Sequence, residues 1–473
     1  MSLDFDKIKI NKEKVGFFRF KKLNDFYLLT NDISLVELSE QEFKNFLEGT
    51  LDEKEKVYSQ LVKRGFIKDK TSHQTIIDEY RIKNRFLFSM GAALHIVVVT
   101  KRCNQLCVYC QAGSSELQKD YDMTKETAKK VVDIIFQSKS NSINIEFQGG
   151  EPLLNWEVVR FIVEYAKEKN KIAKKRLMFS LVTNLSLMTD KKYNYLILAG
   201  VNICTSLDGP AHVHDKNRPF PNGKGSYKEV TSWIEKSAKL SGKRRISALP
   251  TLTKYSLDHI EEVIDEYIKF CFPAIHLRQL SFLGRSSGGK NKEEFGYTAE
   301  EFVTAWKRGL DYIIQKNKEG VFIYERFVAI VLLKIIKGKS SAFLDLRSPC
   351  GAGIGQLAYF YDGGIYSCDE ARMLGDDTFL LGTVDNTYNE LIINNKKLKT
   401  IITSSVLDNC SCNECVYKPY CGICPVQNYF IYKNLFPNIK ETDICKIHTG
   451  MLDYIFTKIK DEETAKILSR WVS

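Results

Sequence analysis

Three cysteines, Cys103, Cys107 and Cys110, stand in the stretch "TKRCNQLCVYCQAGSS" at the spacing C-x3-C-x2-C. Three thiolates can hold three irons of a 4Fe–4S cluster, because such clusters bind through cysteine thiolate. The remaining iron then lacks a protein ligand, and an open coordination position is where a metal centre takes its reactant. The spacing alone leaves a second reading open, a zinc knuckle completed by a ligand from elsewhere in the chain.

Other residues with chemical potential follow at intervals. "FQGGEPLL" carries Gly149, Gly150 and Glu151. The glycines allow close approach of a backbone to a ligand, and the carboxylate can accept from an ammonium. "SLVTNL" supplies Thr183 and Asn184, and "TSLDGPAHVHDKNRP" supplies Ser206, Asp208 and Arg218. Ser206 and Asp208 can bond hydroxyls, and Arg218 can pair with a carboxylate. Asp208 equally suits a role in fixing its turn. His212 and His214 read as structural. A second group contains Cys350, Cys368, Cys412, Cys415, Cys421, Cys424 and Cys445. Clustered cysteines favour metal over disulfides in a chain with no secretory signal. Cys204 and Cys271 lie in apolar surroundings and are expected in the core, while Cys410 fits either role.

Elements must position these residues, and the bulk properties bound them. At 473 residues the chain should hold about three domains. The N-terminal "MSLDFDKIKINKEK" is charged, and no apolar run approaches the roughly 20 residues of a membrane span. A cytoplasmic protein with no membrane partner is expected. The net charge of +11 is spread among acidic residues, which fits a solvated surface or a groove for an acidic peptide. No nucleic-acid motif is present.

Residues 1–85 predict strands at Val15–Phe20, Phe26–Thr30 and Ser34–Leu38. A capping box, Ser39 with Glu42, then starts a helix that Gly49 ends. A second helix through Val57 and Leu61 follows, and the whole resembles a winged-helix module. The charged stretch "KDKTSHQTIIDEYRIKNR" reads as a linker. Residues 90–285 alternate β-rich runs (Leu94–Val99, Ile143–Phe147, Leu177–Thr183, Val201–Leu207, Arg245–Leu252, Ile275–Phe282) with amphipathic helices. Six βα units imply an α/β fold, a partial (β/α)6 TIM-type barrel with its site at the C-terminal strand ends. Each motif above falls at such an end. Residues 286–345 form a loop and two bridging helices, near 299–317 and 322–337. Residues 346–449 are turn-rich and cysteine-rich, and residues 450–473 close the chain, in a helix near 447–460.

"CNQLCVYC" resembles the radical SAM superfamily, in which S-adenosylmethionine fills the open iron of the 4Fe–4S cluster. The resemblance implies that Tyr109 lies near the adenine and that Gly149, Gly150 and Glu151 hold the methionine amino group. It assigns Ser206 to the ribose, Arg218 to the SAM carboxylate, and Thr183 and Asn184 to the site wall. The implied chemistry is reduction of the SAM sulfonium, release of methionine, and hydrogen abstraction by a 5′-deoxyadenosyl radical. The later cysteines resemble the SPASM extension, although Cys421 and Cys424 are separated by two residues where three are usual. That resemblance implies two auxiliary 4Fe–4S clusters. One would take Cys412, Cys415, Cys421 and Cys445, the other Cys350, Cys368 and Cys424, with an open iron or Cys410 as its further ligand. Two structural zinc sites are the alternative. Asp369 matches the aspartate that takes a substrate proton in sulfatase-maturing relatives, and a purely structural aspartate also fits.

The N-terminal module resembles the leader-recognition domain of peptide maturases, which would hold a precursor peptide by adding a strand to a sheet edge. "GFFRFKKLNDFYLLTND", "CDEARML" and "CGICPVQNY" together resemble the His-Xaa-Ser system radical SAM maturases, B type. These resemblances imply an enzyme that cross-links or epimerises a ribosomal precursor peptide, served by an electron donor such as a flavodoxin or ferredoxin. A sulfatase-type maturase making formylglycine is one alternative. A non-catalytic iron–sulfur peptide-binding scaffold is the other.

Overall fold

The computed structural model describes residues 8–69, 77, 78, 81, 91–112, 119–241, 246–281, 283, 284, 293–339 and 346–472. Most of the charged linker and of the loop at 286–296 lies outside these residues, as do Arg245 and Phe282, the ends of two expected strands.

The chain enters through an antiparallel meander of β1 (Arg19–Leu23), β2 (Phe26–Thr30) and β3 (Leu35–Ser39). Leu23 pairs with Phe26, so Asn24 and Asp25 form a two-residue hairpin turn, with Asn24 at φ 52°. That turn fixes the register and moves the first strand to Arg19–Leu23. Val15, expected in it, forms an isolated bridge to Ile67 instead. The capping box forms, and the helix Glu40–Glu48 ends at Gly49, followed by a helix Lys56–Lys63. Every residue of β2 is buried because the strand is covered on both faces. Tyr27 and Leu29 join Phe43, Phe46, Leu61 and Phe66 in the module's own core, while Phe26 and Leu28 join the main core.

The main sheet is parallel through β4 (Leu94–Thr100), β5 (Ser142–Gly149), β6 (Arg176–Val182), β7 (Val201–Ser206) and β8 (Ile246–Leu249). Crossover helices include Lys125–Ile135, Trp156–Ala173, Asp190–Ala199 and Tyr227–Ser241. β4 lies inside the sheet and is buried at all seven positions, which explains why five of the seven residues of "LHIVVVT" are apolar. The sixth expected strand is much shorter. Only β9 (Ala274–Ile275) forms, and it pairs in parallel with β10 (Tyr324–Glu325) in a separate two-stranded sheet. The Arg278 N–H bonds the His276 carbonyl at 2.7 Å, a tight turn that takes this segment off the main ladder.

The other edge of the barrel is extended by the cysteine-rich region. β11 (Gln356–Tyr359) pairs in parallel with β4, and β12 (Gly364–Tyr366) and β13 (Leu380–Thr383) follow antiparallel. The α/β partial-barrel class therefore stands, with one eight-stranded sheet joining barrel and cysteine-rich part. The bridging helices are Ala299–Lys318 and Arg326–Lys337. The second starts later than expected because Tyr324 and Glu325 are held in β10, and the Glu325 carboxylate caps the helix at Val328 N–H. The closing helix starts at Asp443, where Thr442 caps it, and a further helix runs Glu462–Arg470. Cys271 is exposed at φ 55°, just past the helix Ile260–Lys269, so it takes a helix-ending conformation and not a core position. Among the described residues no helix is long and apolar enough to cross a membrane.

Candidate functional site: the three-cysteine loop and the barrel mouth

The loop bearing Cys103, Cys107 and Cys110 leaves the end of β4 and is hung from its neighbours by backbone bonds. Leu106 N–H donates to the Pro219 carbonyl at 2.8 Å and Val108 N–H to the Asn217 carbonyl at 3.0 Å. Asn184 Nδ2 donates to Asn104 Oδ1 at 2.9 Å, and Asn104 Nδ2 to Ser186 Oγ at 2.8 Å. Arg102, which sequence reasoning passed over, is buried and clamps Asp122 through Nε at 2.8 Å and a terminal nitrogen at 2.5 Å. The thiols thus sit on a scaffold fixed by protein alone. Burial pushes the Cys103 and Cys107 thiols up to about 12 and about 11. Three soft thiol donors on a rigid loop are a donor set that fits an iron–sulfur cluster.

Gly149 and Gly150 make their close approach to this same loop. A Cβ on Gly149, at φ 158°, would lie 2.2 Å from the Thr100 carbonyl oxygen, and one on Gly150 would lie 2.0 Å from the Arg102 carbonyl oxygen. Gly150 and Glu151 N–H donate to those two carbonyls at 3.0 and 2.8 Å. The Glu151 carboxylate is fully buried. It accepts from Leu153 N–H at 2.9 Å, Thr183 Oγ1 at 2.8 Å and Asn184 N–H at 2.7 Å. Burial raises its pKa, opposed by these three donors. Two carboxylate oxygens have about four acceptor sites, so one direction remains for a cationic donor.

Tyr109, Asp208 and Arg218 form one buried cluster. The Tyr109 hydroxyl donates to Asp208 Oδ2 at 2.6 Å and accepts from Arg218 at 2.6 Å. Asp208 Oδ1 accepts from Thr251 N–H at 3.1 Å, and the Asp208 N–H donates to His214 Nδ1 at 3.2 Å. Both Asp208 oxygens are thereby engaged, which matches the turn-fixing role. His214 is structural, as expected: its Nε2 meets Ser226 Oγ at 3.2 Å, and burial drives its pKa down to about 3. Arg218 Nε is buried with no partner. An orphaned guanidinium donor beside the three-cysteine loop is the feature a bound carboxylate would satisfy. Ser206 ends β7 half-buried on the same side.

Along β5 the residues Ile143, Ile145 and Phe147 are buried, while Asn144, Glu146 and Gln148 are half-buried on the opposite, concave face. Glu146 was not foreseen, although alternation within "INIEFQGG" marks it. It accepts from Gln148 Nε2 at 2.7 Å and from Ser180 Oγ at 3.1 Å, and burial, then the charge of Asp369, raises its pKa. Asp369 begins a short helix, Asp369–Leu374, and is ion-paired with Arg372 at 2.7 Å. Arg372 donates in turn to Gln148 Oε1 at 2.9 Å. This pair ties the cysteine-rich region to the barrel.

In that region Cys412, Cys415, Cys421 and Cys445 line one cavity. His448, another unforeseen residue, stands at its wall with Nδ1 3.4 Å from Cys421 Sγ. Cys410 packs with Cys412, Cys421 and Cys445 around Leu407, Ile423 and Ile439, so it belongs to this set. Cys368 is raised by burial and then by Glu370, Cys424 and Cys350, which places the other three thiols together. Cys204 is half-buried on the concave face, flanked by Ser247, Glu146 and Arg326.

Residues 97–267 match the family model described as the Radical SAM superfamily. The chain thus carries a radical SAM domain, and the three-cysteine loop, the Gly-Gly-Glu-Pro turn and Arg218 all fall inside it. Among curated proteins the chain is 30% identical over 177 residues to an uncharacterized protein of Methanocaldococcus jannaschii, covering 37% of this chain and 58% of that one. It is 23% identical over 336 residues to a cysteine-type anaerobic sulfatase-maturating enzyme of Clostridium novyi, covering 68% and 84%. Among solved structures, anSMEcpe with bound AdoMet aligns at a TM-score of 0.67 and 19% identity, covering 80% of this chain and 99% of that one. SuiB of Streptococcus suis bound to the precursor peptide SuiA aligns at 0.56 and 16%, covering 92% and 99%. These likenesses establish a shared fold.

Proposed function

We propose that the chain is a radical SAM maturase that cross-links or epimerises a residue of a ribosomally made precursor peptide. The observation that carries this reading is the rigid three-thiol loop beside the orphaned Arg218 Nε. In this reading Cys103, Cys107 and Cys110 hold a 4Fe–4S cluster, and Arg218 Nε meets the SAM carboxylate. The remaining acceptor site of Glu151 takes the SAM ammonium, and Ser206 takes the ribose. Bound there, cluster and SAM would supply the one-electron chemistry that removes hydrogen from a C–H bond. Tyr109, locked by Asp208 and Arg218, closes the side of the site and excludes water. Thr183 and Asn184 hold Glu151 and the cysteine loop in register.

Two carboxylates lie within electrostatic reach of each other at the junction of barrel and cysteine-rich region. Asp369 is engaged by Arg372, whereas Glu146 meets only the neutral donors Gln148 and Ser180 among the described residues. Glu146 is therefore the better site to hold or release a substrate proton. The cavity of Cys412, Cys415, Cys421 and Cys445, and the trio of Cys350, Cys368 and Cys424, would hold two auxiliary clusters. These would take up the second electron that a cross-link removes from the peptide, while a donor such as a flavodoxin or ferredoxin would supply the electron the first cluster needs.

The N-terminal module supports the peptide reading, since β1 and β3 leave unpaired outer edges within the described residues. SuiB, which shares the fold over 92% of this chain, was solved with a precursor peptide. The test uses the peptide encoded by a short reading frame beside this gene. It should protect amides of 19–23 or 35–39 from exchange. It should then lose two hydrogens, or gain about one mass unit in D2O if epimerised. No protection and no mass change would defeat the proposal. The match to a sulfatase-maturating enzyme supports formylglycine formation as the second reading. A hydrazide-reactive carbonyl in the product would select it.

A further inference from the structure

At the protein surface two histidines and a glutamate converge, with no cysteine among them. His212 lies on the helix Ala211–Asn217, His259 at the break between the helices Lys254–Asp258 and Ile260–Lys269, and Glu262 on the second of these. His212 Nε2 is 3.6 Å from Glu262 Oε2, and His259 Nδ1 is 2.7 Å from Glu262 Oε1. The two imidazoles meet edge to face with centroids 4.8 Å apart. One ligand atom from each residue lies within 4.8 Å of the others.

We propose that His212, His259 and Glu262 form a binding site for a divalent transition metal of the zinc class, with water completing a tetrahedral shell. Imidazole nitrogens and a carboxylate oxygen bind zinc at about 2.0–2.2 Å, which places neighbouring ligand atoms about 3.3 Å apart in a tetrahedron. The observed separations bracket that value. The metal would replace the proton shared by His259 and Glu262, so only small side-chain rotations are needed.

The backbone beneath is already fixed, which is what distinguishes this trio from chance neighbours on a mobile surface. Gly209 approaches Val263 so closely that a Cβ would lie 2.7 Å from its side chain, and Tyr267 donates to the Leu207 carbonyl at 2.9 Å. On the other side Thr253 Oγ1 donates to Asn217 Oδ1 at 2.9 Å. The helix that bears His212 also runs directly from the Asp208 turn to Arg218. A metal here would staple that segment to the helix Ile260–Lys269 without touching the reacting groups. The site stands independently of the proposed reaction.

The test is made on the full chain with its iron–sulfur sites loaded anaerobically, given zinc and then washed with a weak chelator. Zinc K-edge absorption should show a nitrogen/oxygen shell near 2.0–2.1 Å. The double variant H212A/H259A should retain about one zinc fewer per chain and lose that shell, and E262Q should bind zinc more weakly. Melting of the zinc-free variants at the wild-type temperature confirms that they fold. If wild type and double variant hold equal zinc, or if the zinc shell contains only sulfur near 2.3 Å, the proposal is overturned.

Discussion

The barrel mouth and the cysteine-rich region each gather thiols, yet they are built in opposite ways. At the mouth, the loop of Cys103, Cys107 and Cys110 is suspended from Pro219, Asn217 and Asn184 by hydrogen bonds, above strands with continuous apolar cores. Around Cys412, Cys415, Cys421 and Cys445 the chain consists of short 3-10 turns, and the local core is Leu407, Ile423 and Ile439. The first region's geometry is set by hydrogen bonds to the strands and loops around it. The second lines a cavity with four thiols on short turns over a small core, so the auxiliary cluster proposed there would supply part of its folding energy.

The largest expected effect follows from that contrast. Anaerobic removal of iron from the loaded protein should cost the cysteine-rich region several kcal/mol, since ligation supplies about 10–16 kcal/mol in small metal-dependent folds. Hydrogen exchange should accelerate in residues 407–449 while the amides of β4 and β5 remain protected. Equal acceleration in both regions would abolish the contrast.

A smaller effect separates the two carboxylates that face each other across the junction. Glu146, raised by burial, changes charge at higher pH than an ordinary glutamate. The turnover rate should therefore rise with pH as Glu146 loses its proton. E146Q should flatten that limb and lower the rate by about 100-fold, the low end for a lost acid–base group. D369N should instead weaken the Arg372 tether and leave the limb in place. A limb that follows Asp369 would reverse the assignment.

The smallest effect tests the seam itself. His95 on β4 bonds the Ala92 carbonyl and the Tyr359 hydroxyl of β11, each at 3.0 Å, and burial lowers its pKa to about 3. The unfolded chain takes up a proton near pH 6.5 that the folded chain refuses, so stability is full above that pH and falls as pH drops toward 3. One such group contributes at most about 1.4 kcal/mol per pH unit. His95→Asn should reduce the slope of stability against pH by that amount between about 6 and 4. An unchanged slope would show that His95 is not excluded from protonation.

The sequence disclosed the mouth well because its chemistry is local. The cysteine spacing, the turn at Gly149–Glu151 and the segment that begins at Ser206 each start at one strand end, and period-two and helical patterns placed those ends within one or two residues. The register of β1 was hidden because the Asn24 turn, not apolar content, sets it. The pairing of β11 with β4 was hidden because it joins segments over 250 residues apart, and four residues carry no signal of their partner. Glu146 was passed over, and Cys204 was expected in the core, for a related reason. Their importance comes from Asp369, Ser180 and Arg326, which arrive from other elements.

The central claim concerns the cluster iron that Cys103, Cys107 and Cys110 leave open to SAM. It is tested most directly by incubating the anaerobically reconstituted chain with SAM and dithionite and quantifying 5′-deoxyadenosine. The wild-type chain should release it, and the triple variant C103A/C107A/C110A should not. Release of equal amounts by both, or of none by a wild-type chain that contains iron and sulfide, would contradict the account.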